Sequence, residues 1–106
     1  METNKLIGLL GMCRRAGRLT VGFDAVVALC GKTAPLVMLA SDASERTVRQ
    51  LRFHAGDTTV YRLPLNREET AHTVGSSKPV AVLATEDKGF VRAIRPLLTT
   101  IQEEES

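Results

Sequence analysis

Leu36-Val37-Met38-Leu39-Ala40, running on into Ser41-Asp42-Ala43-Ser44-Glu45-Arg46-Thr47, is the stretch that decides the fold. An unbroken apolar run of this length, with no alternation, marks a strand covered on both faces. Pro35 leads into it. A short polar link follows, in which Asp42 or Ser44 is placed to cap a helix, because an oxygen side chain can take an orphaned N–H of the first turn. Val48, Leu51 and Ala55 then recur at helical spacing, and Gly56 marks the stop.

The pattern repeats outward in both directions. Towards the N-terminus, Leu6, Leu9, Leu10, Cys13 and Ala16 recur at helical spacing, with Thr3 or Asn4 as cap and Gly17 as stop. Arg18 to Val21 reads as a short strand, and Gly22 to Leu29 as a second helix, with Val26 and Leu29 facing inward and Gly31 at its end. Towards the C-terminus, Thr58-Thr59-Val60-Tyr61-Arg62 is rich in strand-forming residues. Asn66 followed by Glu69 predicts a capping box on a short helix that stops at Gly75. Pro79 opens Val80-Ala81-Val82-Leu83-Ala84, a second fully apolar strand. The last helix is predicted from Thr85-Glu86-Asp87, with Phe90, Ile94, Leu97, Leu98 and Ile101 as its stripe and Pro96 kinking or restarting it. The order αβαβαβαβα, with two strands of the doubly covered type, calls for a single α/β sheet with helices on both faces.

Composition sets the bounds. The chain of 106 residues reads as one domain from 1 to 106, with 43% apolar and 25% charged residues, average for a globular protein. No apolar run approaches the ~18 residues of a membrane span, and only Lys5 precedes an apolar stretch that arginines soon interrupt, which does not read as a signal peptide. A cytoplasmic protein with reduced thiols is therefore expected, and Cys13 and Cys30, both within apolar helical patterns, read as small buried hydrophobes. Residues 1–56 carry eight Lys and Arg against four Asp and Glu, a balance of +4, whereas residues 57–106 carry six against eight, a balance of −2. Glu103-Glu104-Glu105 supplies three of those acids and reads as an acidic, solvated tail at 102–106. The basic first half favours a polyanionic partner.

Enzymatic chemistry finds little support. Gly31-Lys32-Thr33 resembles the end of a phosphate-binding loop, but Val26 stands where that loop needs a glycine, and Pro35 with a strand follows instead of a helix. His54 and His72 have no partner at metal-ligand spacing. The two cysteines form no close pair, and there is no nucleophile elbow. No enzyme, metal or cofactor is expected.

The residues with binding chemistry lie elsewhere. Leu9-Leu10-Gly11-Met12-Cys13-Arg14-Arg15-Ala16-Gly17-Arg18 ends an apolar helix in three arginines, just before the Gly22 turn and a new helix start. Arginine forks and free backbone N–H groups are what a phosphate backbone is held by. Ordinary helix-stop chemistry explains the same residues. In an open α/β sheet ligands gather where strands end; here those loops include Val21-Gly22-Phe23-Asp24 and Ser41-Asp42-Ala43-Ser44. Arg46, Arg49 and Arg52 form a basic stripe on the helix after the second loop, which also reads as a solvated helix face. Ser76-Ser77-Lys78-Pro79 leads into a strand and so belongs to the opposite sheet edge, unless that strand runs antiparallel.

With these blocks in view, the chain resembles, over nearly its whole length, the ribosomal protein L-seven-Ae superfamily of kink-turn RNA binders, in its short bacterial YlxQ-type branch. The resemblance is carried by Leu9-Leu10-Gly11 through Arg14-Arg15-Ala16-Gly17-Arg18-Leu19, by Leu36 through Thr47, and by Asp87-Lys88-Gly89-Phe90. It implies a three-layer α/β/α sandwich with a mixed four-stranded sheet, and an RNA-binding edge made from two places. One is the turn into the second helix, where the family carries Gly, any residue, Asn, Glu, any residue, Thr, Lys. Gly22 matches that glycine, Phe23 and Asp24 follow, and Ala25, Val26, Val27 and Ala28 replace the rest, in a segment shorter than usual. The other is Gly75-Ser76-Ser77-Lys78-Pro79, upstream of which Thr70-Ala71 replaces the family's Leu-Gly pair.

The expectation is a monomeric, non-catalytic protein that binds structured RNA, ribosomal or regulatory, through Arg14, Arg15, Arg18, Gly22, Phe23, Asp24, Arg46, Ser76, Ser77 and Lys78. Backbone and shape contacts would replace the missing side chains. The alternative is a protein-interaction adaptor on the same fold, with Phe23 as its apolar anchor.

Overall fold

The computed structural model describes residues 2–101, so the expected acidic tail lies outside the described residues. Along the chain come α1 (Glu2–Arg15), β1 (Thr20–Val21), α2 (Phe23–Cys30), β2 (Leu36–Leu39), α3 (Glu45–Ala55) and β3 (Val60–Arg62). Then follow α4 (Arg67–Val74), β4 (Val82–Thr85), α5 (Lys88–Ile94), a 3₁₀ turn (Arg95–Leu97) and β5 (Thr99–Thr100).

The sheet is mixed, as expected, but it has five strands rather than four, in the order β1-β4-β2-β3-β5. β2 is central and buried along its whole length. It pairs parallel with β3, Val37 opposite Val60, and antiparallel with β4, Val37 opposite Ala84. β1 is antiparallel to β4, so β1, β2 and β3 point one way and β4 the other.

Side chains alternate along the pleat, and the two apolar clusters follow that alternation. Leu36, Met38 and Leu83 join Leu6, Leu10 and Cys13 of α1, Ala71 and Val74 of α4 and Ile94 of α5. Val37, Leu39, Val60, Val82 and Ala84 join Val26 of α2 and Leu51 and Ala55 of α3. Complete burial of a residue such as Met38 or Leu39 stabilises by about 1.5–3 kcal/mol. That is why uninterrupted apolar runs are tolerated in β2 and β4, the strands buried along their whole length. Burial also pushes the thiols of Cys13 and Cys30 above the ordinary range. Cys13 is fully buried, as expected, whereas Cys30 is only partly covered.

Local chemistry sets the element ends. Ser44, not Asp42, caps α3, its Oγ accepting from the Thr47 N–H at 3.1 Å. Asp42 instead accepts from the Arg67 N–H at 2.8 Å and pairs with the Arg67 side chain at 3.5 Å, tying the β2–α3 loop to the start of α4. The capping box on α4 is complete: Asn66 Oδ1 accepts from the Glu69 N–H and Glu69 Oε1 from the Asn66 N–H. Thr3 and Asn4 cap nothing, because α1 already runs from Glu2.

Three predicted strands begin later than their composition suggests, because their first N–H groups are taken outside the sheet, two by local turns and one by the start of α4. Arg18 donates to the Cys13 carbonyl, Thr58 to that of Ala55 and Val80 to that of Arg67. The last helix is shorter than predicted. Pro96 ends it in a 3₁₀ turn, and Thr99-Thr100 then pairs with Tyr61 and Arg62 of β3 as the fifth strand. Ile94 and Ile101, predicted on one stripe, consequently belong to different clusters.

Candidate nucleic-acid interface

Because β4 runs against β1 and β2, the loop that enters it lies on the same sheet edge as the loops that leave them. The antiparallel condition attached to Ser76-Ser77-Lys78-Pro79 is met. Gly22, Phe23, Thr47, Gln50, Ser76, Pro79 and Val80 line one cleft of about 370 Å³ at this edge.

Gly22 fixes the corner. Its N–H donates to the Val82 carbonyl at 2.9 Å and its own carbonyl accepts from the Val26 N–H, so one residue ends the strand ladder and starts α2. With φ of 106° and ψ of 148°, it occupies a region essentially closed to residues with a side chain. Phe23 is half-buried and meets the ring of His54 edge-on, with centroids 6.1 Å apart. It is therefore partly core. Asp24 is exposed in the first turn of α2 and puts a negative charge at the helix end where phosphate would be attracted.

Arg46 is exposed in the first turn of α3, next to Thr47 of the cleft. In the facing loop, Ser76 Oγ donates to the Lys78 carbonyl at 2.9 Å and accepts from the Lys78 N–H at 3.2 Å. The hydroxyl of Ser76 thus shapes the loop. Ser77 and Lys78 are exposed beyond it.

Arg14, Arg15 and Arg18 are not brought to this edge. β1 runs from Thr20, opposite Ala84, to Val21, opposite Leu83, so Arg18 and Gly22 lie at opposite ends of that strand. At about 3.3 Å per residue the separation is roughly 13 Å. Arg18 is anchored at the far end by the Thr85 hydroxyl, which donates to its carbonyl at 2.7 Å. Its side chain lies 3.7 Å from Asp87, with 65% of its surface exposed; a surface pair of this kind contributes about 0–1 kcal/mol. Arg15 lines a groove between α1 and α4 that it shares with Glu68, Glu69 and His72, and Arg14 is exposed in the last turn of α1. Gly17 does stop the helix, its N–H donating to the Arg14 carbonyl and its φ standing at 72°.

The basic stripe on α3 also divides. Arg46 stands near the first cleft, while Arg49 and Arg52 line a second one, of about 410 Å³, with Phe53, Gly56, Thr58 and Val60. Phe53 is 81% exposed and was not singled out from the sequence. The signal was there: the core-facing stripe of α3 is Val48, Leu51 and Ala55, and position 53 lies off it. Thr47 and Gln50 were missed for lack of any local mark.

No group of His, Cys, Asp and Glu among the described residues could hold a metal ion, and no helix there is long and apolar enough to cross a membrane.

Comparison with known proteins places this geometry in context. No family model matches the chain. It is 28% identical over 99 residues to the RNA-binding protein YlxQ of Enterococcus faecium, across 89% of this chain and 91% of that protein. Among solved structures it is similar to a protein of unknown function from Bacillus halodurans, with a TM-score of 0.78 and 30% identity, covering 88% of this chain and 95% of that one. The first similarity supports the resemblance to the YlxQ-type branch.

Proposed function

We propose that this chain is a non-catalytic RNA-binding protein of the YlxQ type, a cytoplasmic monomer that grips structured, kink-turn-like ribosomal or regulatory RNA by backbone and shape contacts. The reading takes the two apolar clusters as the two interfaces of a three-layer sandwich, with the RNA at one edge of its sheet. The observation that carries it is the convergence of the Gly22 turn, the start of α3 and the Ser76–Lys78 loop around one cleft. The relative named for RNA binding adds to it.

Each element has a role there. Gly22 lets the backbone approach closely, Arg46 and Lys78 supply positive charge, and Thr47 and Gln50 offer donors and acceptors to exposed base edges. Asp24 works against phosphate at the α2 start, so the anionic backbone is expected against α3 and the Ser76–Lys78 loop. Arg14 and Arg18 offer separate positive charge at the other end of the sheet, able to position RNA without reading it, whereas Arg15 lies beside Glu68 and Glu69 in the groove between α1 and α4. The adaptor alternative loses ground at Phe23, whose ring is engaged by His54 instead of standing free as an anchor.

The test is binding to a kink-turn RNA beside a length-matched duplex in which the G·A pairs are replaced by Watson–Crick pairs, across a salt series. Preference for the kink, persisting as salt rises, is the expected result. Equal and steeply salt-sensitive binding would reduce the activity to general phosphate contact. Absence of binding to both RNAs would favour the adaptor instead.

A further inference from the structure

Phe53 has no place in the edge just described, and its surroundings are unusual for an exposed aromatic. A single exposed apolar side chain is commonplace and means nothing alone. This one stands on the rim of a cleft of about 410 Å³ whose other walls are Arg49, Arg52, Gly56, Thr58 and Val60. Val60 is buried and forms an apolar floor. Arg49 is exposed, Arg52 is half-buried along the wall, and the neighbouring acid is Asp57, so the local balance stays positive.

The ring of Phe53 also has an aromatic neighbour. It meets His54 edge-on, with centroids 5.3 Å apart and planes at 83°, and His54 meets Phe23 at 6.1 Å and 81°. Phe53, His54 and Phe23 therefore form one aromatic row. The row leads from the second cleft to the first, which Phe23 lines with Thr47 and Gln50. An exposed ring face beside an exposed guanidinium fits an unpaired nucleotide, since every base has a face to stack and a phosphate to pair. An apolar protein partner would leave the exposed Arg49 unmatched.

We infer that the C-terminal half of α3 is a second RNA contact, in which Phe53 stacks an unpaired base flanking the structured element and Arg49 contacts its phosphate. This rests on the RNA-binding reading above and extends it from the structured element to the single strand beside it. Arg52 adds positive potential, and the cleft floored by Val60 receives the edge of the stacked base.

The experiment compares two RNAs: a blunt-ended kink-turn and the same kink-turn with a short single-stranded uridine extension. Each is titrated with the unaltered protein, Phe53→Ala, Phe53→Tyr and Arg49→Ala. The extension is expected to tighten binding on the order of tenfold, the gain typical of one stacked base. Phe53→Ala should remove that gain while leaving blunt-RNA affinity and thermal stability unchanged, Phe53→Tyr should retain it, and Arg49→Ala should reduce it. An iodouridine placed in the extension should cross-link to Phe53.

Binding of the blunt RNA with no gain from the extension overturns this inference and leaves the parent reading intact. Failure of both RNAs to bind overturns both. An extension gain that survives Phe53→Ala places the single strand elsewhere and overturns the assignment of Phe53. If Phe53→Ala instead abolishes self-association of the free protein in sedimentation, the patch belongs to a second copy of this chain and the inference falls.

Discussion

Gly22 shows how one residue can hold both fold and site. Its N–H belongs to the sheet and its carbonyl to α2, so any change in its dihedral angles moves the strand end and helix start together. A Cβ there would meet open space, so steric contact is not what demands glycine. The backbone conformation is: a φ of 106° with a ψ of 148° costs on the order of 1–3 kcal/mol for other residues. Gly22→Ala is therefore expected to lower the unfolding free energy by about that amount in urea denaturation. An unchanged midpoint would mean that the corner relaxes freely. Phe23, one position later, was legible as a binding residue or an apolar anchor, and its partial burial was not. Its half-burial against His54 follows from α3 packing on α2, a contact between distant segments that no local pattern reports.

Elements whose signals are local were read well. The start and stop of α4 follow from Asn66, Glu69 and Gly75, all within one short window, and both capping bonds are formed. Asn66→Ala removes the side-chain acceptor for the Glu69 N–H and is expected to cost about 1 kcal/mol, measured as a lowered denaturation midpoint. Because α4 runs directly into Gly75 and the Ser76–Lys78 loop, amide exchange should quicken in that loop more than in β2. Equal protection across the two would show that the loop is held by its own Ser76 bonds alone. β5 illustrates the opposite case. Two threonines make no strand by themselves; Tyr61 and Arg62 of β3 supply the partners, nearly forty residues earlier. Pro96 announced that the helix would break, and nothing in the local sequence said that the chain would then join the sheet.

At the scale of the molecule the decisive unknown was direction. Apolar period identifies a strand and is blind to which way it runs, so the position of the Ser76–Lys78 loop hung on the orientation of β4. Antiparallel pairing brings that loop to the Gly22 edge, and the direction of β1 carries Arg18 away from it. Sequence neighbours thus became separate surfaces, and residues more than fifty positions apart became one cleft. The separation makes a prediction that uses the whole charge distribution. If Arg46 and Lys78 each contact one phosphate, removing both with alanine should lower the slope of log affinity against log salt by about 2, since each contact contributes roughly one. The same pair should weaken binding to the kink-turn more than to its Watson–Crick control. Arg14→Ala with Arg18→Ala removes equal charge from the far end, and is expected to shift both RNAs together and leave their ratio unchanged. Circular dichroism should show both double variants folded. If the Arg14 and Arg18 substitutions were instead the ones to erase the preference, the RNA would have to sit at the Asp87 end of the sheet. The Gly22 cleft would then be a feature of the fold with no part in recognition.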